Sequence, residues 1–185
     1  MTATGFFSHT ALPVVALAFL LAAASDARAG CSDPPAPGVN WGGCNLDSKD
    51  LTGANLSGAD LSRANLTQAI LTRTDLSNAD LRGAEMTLAV LDHADLSGAL
   101  LSETMLLGAN LSNANLSGAY LHRTNLNDTD LSGADFTGAT VSESVFYGAD
   151  FTGAIVKDGE IRFGPGLDGA TWIDGTTCNA SGSCQ

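Results

Sequence analysis

Basic side chains are scarce in this chain. Its 185 residues include 8 Lys and Arg against 20 Asp and Glu, for a formal net charge of −12. A protein that binds nucleic acid needs Lys and Arg to neutralise phosphates, so the composition excludes direct nucleic-acid binding. Anionic membrane surfaces are disfavoured for the same reason. A basic partner stays open, although an acidic surface commonly serves only solubility.

Long apolar runs are also lacking, except for one near the N-terminus. Residues 11–25 read ALPVVALAFLLAAAS, which is shorter than the roughly 20 apolar residues of a spanning helix. ARA at 27–29 supplies the small residues of an A-x-A cleavage site, so residues 1–29 are a predicted signal peptide and Gly30 the mature start. The first ten residues contain no Lys or Arg, so an uncleaved anchor or a misassigned start is the alternative. Cleavage predicts a periplasmic or secreted protein with no membrane span.

Cysteines are few and lie only at the two ends of the mature chain: Cys31, Cys44, Cys178 and Cys184. Four cysteines allow three pairings. An exported protein meets an oxidising compartment, which favours disulfides over zinc, and no histidine lies near either pair. We favour Cys31–Cys44 and Cys178–Cys184, each worth roughly 2–3 kcal/mol by loop entropy. Lipidation of Cys31 is the alternative, although Arg28 stands where a lipoprotein signal prefers Leu.

What the chain has in abundance is a repeat of five residues. In SGADLSRANLTQAILTRTDLSNADLRGAE, at residues 57–85, a Leu returns every fifth position with a small residue two positions before it. In a continuous helix, successive leucines would turn by roughly 140° and form no apolar stripe. In a continuous strand, every second Leu would face water. The leucines share one core only if the chain bends once per repeat, and the frequent Gly two residues after each Leu suits that corner. Repeated bends of one hand predict a solenoid.

The units GANLSGADLSRANL at 53–66 and GANLSNANLSGAYL at 108–121 resemble the pentapeptide-repeat family. The resemblance implies an all-β fold, a right-handed quadrilateral β-helix with about 20 residues in each coil, and a bacterial source. Repeat centres occupy every fifth position from Trp41 to Ile161 and resume, one residue out of phase, at Leu167 and Trp172. These centres predict nearly seven coils, with a bulge at Gly164-Pro165-Gly166.

The repeat also predicts domains and a core. We expect an N-terminal cap segment at 30–40, a β-helix at 41–173 and a Cys-containing tail at 174–185. Trp41 and Trp172 are the first and last centres, so we expect them to cap the two ends of the core and to favour a monomer. Residues 20 apart stack in neighbouring coils, which predicts one core column of Leu56, Leu76, Leu96, Leu116 and Phe136.

Apolar residues break the outward part of the repeat in one region. Folded on a 20-residue coil, they form a predicted exposed cluster: Ile70, Leu88, Val90, Met105 and Leu107. Two interpretations are open. Scattered surface hydrophobes are normal and indicate drift in a tolerant repeat. A contiguous apolar area is uncommon on a monomer and indicates a patch that binds a protein partner.

Two polar groupings are candidate sites. Serine, histidine and carboxylate side chains stack in adjacent coils, as in a hydrolase: Ser102, His122, Ser142, Glu103, Arg123 and Glu143. A flat exterior offers neither a concave pocket nor an oxyanion hole, so we interpret this group as a surface ladder with a solvated His. Stacked carboxylates form a second group: Asp60 with Asp80, Asp75 with Asp95, and Asp130 with Asp150. Two monodentate carboxylates fall short of the 6–8 oxygens that calcium takes, so no metal, cofactor or catalytic residue is predicted, and His93 is isolated.

These observations favour a non-enzymatic exported protein that serves as a structural or protein-interaction solenoid with an unidentified partner. The resemblance implies one alternative, because family members that confer quinolone resistance protect a type II topoisomerase, DNA gyrase, with an acidic rod that mimics DNA. The charge agrees with that role and the signal peptide does not, since gyrase is cytoplasmic. A β-helix hydrolase or lyase is the third hypothesis, which the scarcity of basic residues disfavours.

Overall fold

A computed structural model of the chain describes residues 30–158, 160–161 and 166–177. The predicted signal peptide, the Cys178–Cys184 pair and Gly164-Pro165 lie outside these residues. The described residues contain three short strands, β1 (Tyr120–His122), β2 (Thr140–Ser142) and β3 (Glu160–Ile161), which form one parallel sheet in the order β1-β2-β3. Tyr120 pairs with Thr140, and Thr140 with Glu160.

The remainder of the chain repeats the same pairing through single bridges. Parallel bridges join residues 20 positions apart, from Asn40 with Asp60 to Asp135 with Ile155. Leu56 N–H donates to Asp75 O at 2.7 Å, and Asp75 N–H donates to Ala54 O at 2.9 Å. Each five-residue unit is therefore bonded to the equivalent units of the coils before and after it, so the chain is a parallel β-solenoid.

The corners lie where the sequence predicts them, two residues after each centre. Every fifth residue from Gly38 to Asp158 has a positive φ between 52° and 70°. Ala59 N–H closes one such corner by donating to Leu56 O at 3.0 Å. Since many of these corner positions hold residues other than Gly, the fold imposes a left-handed backbone on side chains that ordinarily avoid it.

One continuous apolar core runs along the axis. The centre residues and the small residues two positions before them are buried, including the column of Leu56, Leu76, Leu96, Leu116 and Phe136. Five hydroxyl side chains replace Ala in this interior: Thr74, Thr104, Thr124, Thr129 and Ser144. Each donates to a backbone carbonyl in the preceding coil, which keeps a buried hydroxyl from being left without a partner.

The register shifts by one position near the C-terminal end. Val141 pairs with Ile161 at the regular spacing, but Asp150 pairs with Thr171, one position beyond it. Phe146 N–H correspondingly donates to Gly166 O at 2.8 Å. The extra residue therefore falls between Ile161 and Gly166, where the phase change in the sequence predicts it.

A disulfide-linked segment lies at the N-terminal end of the described residues. The Cys31–Cys44 bond is present, as predicted, and Gly30 N–H donates to Asn40 O at 3.2 Å. Trp41 is fully buried, with Lys49 Nζ 4.8 Å from the centre of its ring. Among the described residues, its indole N–H has no hydrogen-bond partner. The bonding pattern of the repeat extends to Ala36, whose carbonyl accepts from Val39 N–H at 3.2 Å. The predicted cap segment at 30–40 therefore contains one corner of the repeat, at Gly38.

Aromatic side chains fill the core at the opposite end. Phe151 lies 5.3 Å from Phe146 and 5.5 Å from Trp172 between ring centroids. Trp172 is half-buried against the core, and the chain turns back after it, since Trp172 N–H donates to Thr176 O at 2.6 Å. Throughout the described segments, the structure contains no helix long and apolar enough to cross a bilayer.

Candidate functional site

The acidic and amide residues before each Leu have a local structural role. Asp60 Oδ1 accepts from the backbone N–H of Ser62 at 3.0 Å, and Asn110 Oδ1 accepts from Ser112 N–H at 2.9 Å. This Asx turn satisfies the N–H that follows the centre, a donor for which the repeat provides no backbone carbonyl. The Asp and Asn residues of the repeat therefore stabilise the corner, and their abundance needs no ligand to explain it.

The stacked carboxylates form the same Asx turns. Asp75, Asp95, Asp130 and Asp150 each accept a backbone N–H two residues on. Asp80 also binds Arg82, whose Nε and Nη2 lie 2.8 and 2.5 Å from its two oxygens. The guanidinium lowers the pKa of Asp80 below its ordinary value of 3.8 and raises the pKa of Arg82. In the part of the chain that the structure describes, no three His, Cys, Asp or Glu residues are placed to hold a metal ion.

Apolar residues replace the Asx residue at Ile70, Val90 and Met105. None of the three can supply an Asx oxygen, so each gives up a hydrogen bond worth about 0.5–1.5 kcal/mol. Ile70 and Val90 are paired in adjacent coils, and Met105 pairs with Glu85 below it. The apolar residues thus weaken their own corners.

The predicted cluster of Ile70, Leu88, Val90, Met105 and Leu107, hereafter the apolar patch, lies mostly on the surface. The exposed fractions of four members are 39% for Ile70, 52% for Leu88, 42% for Met105 and 38% for Leu107. Val90 is half-buried, which is less exposed than the sequence suggests. Leu88 N–H donates to Leu107 O at 2.9 Å, so the two edges of the patch are bonded neighbours.

Leu88 is the most unusual member of the patch. It occupies a corner with φ +58°, a conformation that costs a non-Gly residue about 1–2 kcal/mol. Its Cδ2 lies only 2.9 Å from where a Cβ on Gly108 would be, so the side chain covers the glycine of the next coil. An exposed Leu at a position that favours Gly or Asn is unfavourable for folding and for solubility alike.

The Ser-His grouping forms a pair rather than a triad. His122 Nδ1 and Ser142 Oγ are 2.9 Å apart. The adjacent Glu143 carboxylate instead accepts from Arg123 Nε at 2.9 Å, and this bond lowers the pKa of Glu143. Because the carboxylate is bonded to arginine rather than to the imidazole, it does not orient His122 as a base. This geometry matches the surface ladder expected from the sequence.

A cleft in the same two columns, on the N-terminal side of this pair, was not predicted. It has a volume of about 380 Å³ and is lined by Ser62, Arg63, Arg82, Gly83, Ser102 and Glu103. The cleft exists because Gly83 has no side chain between two long ones. The sequence could have indicated the cleft, because the 20-residue period stacks Arg63, Gly83 and Glu103 and so places a glycine between two long side chains.

The family is established by a match to the model of the pentapeptide repeats, with eight copies across residues 38–68, 69–106, 94–133, 106–142 and 129–158. The chain belongs to the pentapeptide-repeat family. Proteins of this family are generally structural or interaction proteins rather than enzymes. A comparison with curated proteins gives no significant match.

Solved structures agree with this assignment. HetL, a pentapeptide repeat protein involved in heterocyst differentiation regulation from Nostoc sp. strain PCC 7120, is 29% identical over 76% of this chain and 70% of its own, with a TM-score of 0.63. Rfr23 from Cyanothece 51142 is 31% identical over 58% of this chain and 86% of its own, with a TM-score of 0.56. A trypsin-treated form of QnrB1, a plasmid-mediated fluoroquinolone resistance protein, is 27% identical over 64% of this chain and 65% of its own, with a TM-score of 0.52.

Proposed function

We propose that this protein is a non-enzymatic, exported interaction solenoid that binds a protein partner through the apolar patch. The observation that carries the proposal is Leu88, which is exposed, apolar and held at φ +58°. The other non-Gly residues at such corners in the described segments are all polar or charged, so the backbone alone does not account for an apolar side chain at this position. A partner that buries it gives the unfavourable residue a role.

The neighbours of Leu88 support the same function. Ile70, Val90 and Met105 each replace a stabilising Asx turn with an apolar side chain next to Leu88 or Leu107. A cluster that lowers stability in several adjacent coils is typical of a binding surface rather than of a core. The partner is therefore expected to present an apolar face of similar size.

For the architecture, we infer a right-handed rod of square cross-section with nearly seven coils. Bridges between positions such as 40 and 60, with a corner at every fifth position, support four sides per coil. The flat sides leave the apolar patch on one edge of the rod, spread over neighbouring sides and accessible from outside. We further infer a monomer, since the disulfide-linked segment covers one end and Trp172 packs against the other.

Export is part of the proposal. The apolar run at 11–25 and the A-x-A motif at 27–29 support cleavage before Gly30. The Cys31–Cys44 disulfide is compatible with an oxidising compartment such as the periplasm. N-terminal sequencing of the protein from a periplasmic extract should begin at Gly30, whereas a cytoplasmic protein beginning at Met1 would contradict export.

The interaction is tested by Met105→Ser with Leu107→Ser in one variant. Tagged wild-type protein, cross-linked in the periplasm of its host, should retain a specific partner that the double variant loses. Ile155→Ser is the matched control, because Ile155 is 40% exposed and replaces an Asx residue in a different column. The melting temperatures of all three proteins should agree. Equal recovery of the partner by the double variant would overturn the proposal.

A second candidate is an acidic DNA mimic that protects DNA gyrase. The net charge of −12 and the likeness to QnrB1 favour it. Purified protein lacking residues 1–29 should then preserve gyrase supercoiling in the presence of a fluoroquinolone. Absence of protection at a large molar excess, together with a start at Gly30, would remove this candidate.

A further inference from the structure

The cleft at Gly83, hereafter the Gly83 notch, lies between two opposite charges. Arg63, Gly83 and Glu103 are successive members of one corner column. At a strand spacing of about 4.8 Å, the backbones of Arg63 and Glu103 are about 10 Å apart. Arg63 leans into the gap, since its Cγ lies 3.5 Å from where a Cβ on Gly83 would be. The notch therefore has a cationic rim on one side and an anionic rim on the other.

The next members of the same column show what such charges do without a gap. Arg123 lies one coil from both Glu103 and Glu143, and it bonds to Glu143 at 2.9 Å rather than to Glu103. Arg82, which also lines the notch, is bonded to Asp80. Among the residues that the structure describes, Arg63 and Glu103 have no ion pair within 4.0 Å. Gly83 separates them, and a molecule in the notch would complete the interrupted pair.

We propose that the Gly83 notch binds a small zwitterion of the amino-acid class. Its carboxylate is held by the Arg63 guanidinium and its ammonium group by the Glu103 carboxylate. Ser62 and Ser102 also line the notch. The Ser62 hydroxyl already donates to Asp60 Oδ1 at 2.7 Å and so offers only an acceptor, whereas a serine hydroxyl such as that of Ser102 is able to donate or accept. A volume of about 380 Å³ accommodates a molecule of this size.

Ligands with a single charge fit the notch less well. An anion would be attracted by Arg63 and repelled by Glu103, whereas a cation would be attracted by Glu103 and repelled by Arg63. Because exposed ion pairs are individually weak, the notch favours a zwitterion over a singly charged molecule only if one molecule forms ion pairs with both Arg63 and Glu103. The dissociation constant expected for a site so open is on the order of 1 mM, and it should rise with salt.

The repeat itself supplies conservative variants. Gly83→Asn fills the notch with less backbone strain than other side chains would bring, since Asn78 and Asn113 already adopt φ +56° at equivalent corners. Gly118→Asn is the matched control, because a Cβ there meets nothing within 4 Å. Arg63→Glu and Glu103→Arg each introduce a residue type that this corner column already contains, since Arg123 and Glu143 occupy equivalent corners. The double variant Arg63→Glu/Glu103→Arg reverses the polarity of the notch.

The experiment is an NMR titration of the full mature chain with glycine, β-alanine and 4-aminobutanoate. Acetate and ethylammonium serve as single-charge probes. At least one zwitterion should bind at least tenfold more tightly than either single-charge probe and shift the amides near residue 83. Gly83→Asn and each single charge variant should weaken it at least tenfold, Gly118→Asn should not, and the double reversal should restore it.

Three results would overturn the proposal. Acetate binding as tightly as the zwitterions would make this an anion site. Undiminished binding by Gly83→Asn would place the ligand elsewhere. Failure of the charge-reversed double variant to recover affinity, while its melting temperature matches the wild type, would show that the two rims do not act together.

Discussion

The hydroxyl of Thr124 donates a 2.7 Å hydrogen bond to the carbonyl oxygen of Leu101, across one coil of the solenoid. Thr124 is fully buried at a position where the repeat normally has Ala. The core therefore contains polar cross-links between coils as well as apolar contacts.

Replacing Thr124 by Val tests the strength of this cross-link. The shape is kept and the donor is lost, so the free energy of unfolding should fall by about 1 kcal/mol. Leu101 O keeps a second donor, the Thr104 N–H at 3.3 Å, which limits the loss. Chemical denaturation gives the value, and a loss above about 3 kcal/mol would mean that the hydroxyl does more than this bond.

Asx turns are tested at Asp75, whose Oδ1 accepts from Ser77 N–H at 3.0 Å. Asp75→Ala removes the acceptor and should lower the free energy of unfolding by about 0.5–1.5 kcal/mol. Asp75→Asn keeps an equivalent oxygen and should change it by less than about 0.5 kcal/mol. If Ala and Asn behave alike in thermal unfolding, the bond contributes nothing and the Asx preference has another cause.

Leu88→Asn should separate stability from binding. Asn tolerates the left-handed corner at φ +58°, so relief of strain should raise the free energy of unfolding by up to about 1 kcal/mol. The same change should abolish capture of the partner by the apolar patch. A variant that is less stable than the wild type would show that Leu88 has a folding role in covering Gly108.

Acid should destabilise the solenoid in a way that depends on Asp80. Arg82 holds the pKa of Asp80 below its ordinary value of 3.8 in the folded chain. The unfolded chain therefore binds the proton more tightly, and the stability from this pair is present at higher pH and lost as pH falls through the folded pKa. The melting temperature should fall on acidification below about pH 4.

Asp80→Asn isolates the contribution of this charge. Asn keeps the oxygen that accepts from Arg82 N–H, at 3.1 Å in the wild type, and removes the titrating group. The variant should be less stable than the wild type at neutral pH and should lose less stability on acidification. Parallel pH profiles for the two proteins, recorded by calorimetry, would contradict the assignment.

Most of the backbone could be predicted from the sequence because the repeat is so regular. A Leu at every fifth position fixes which side chains face the core, and the resemblance supplies the 20-residue coil. The same count located the register shift, since the centre at Leu167 comes one position late after Ile161. Even the corners follow from the positions of Gly53 and Gly58.

The surface was harder to predict, for physical reasons. Periodicity places Val90 outward but does not say how far its neighbours cover it. It places Leu88 at a corner, yet the strain there depends on a φ angle that only the structure gives. The Gly83 notch depends on a missing side chain and on the direction in which Arg63 leans, and neither is a property of the repeat pattern.

The single extra residue between Ile161 and Gly166 has a practical consequence. Asp150 still pairs with Thr171, so the parallel pairing resumes after a connection that is one residue longer than the repeat. Closure entropy rises only slowly as such a connection grows. A reporter peptide inserted between Ile161 and Gly166 should therefore leave the pairing of Asp150 with Thr171 intact, which would make the chain a scaffold for peptide display.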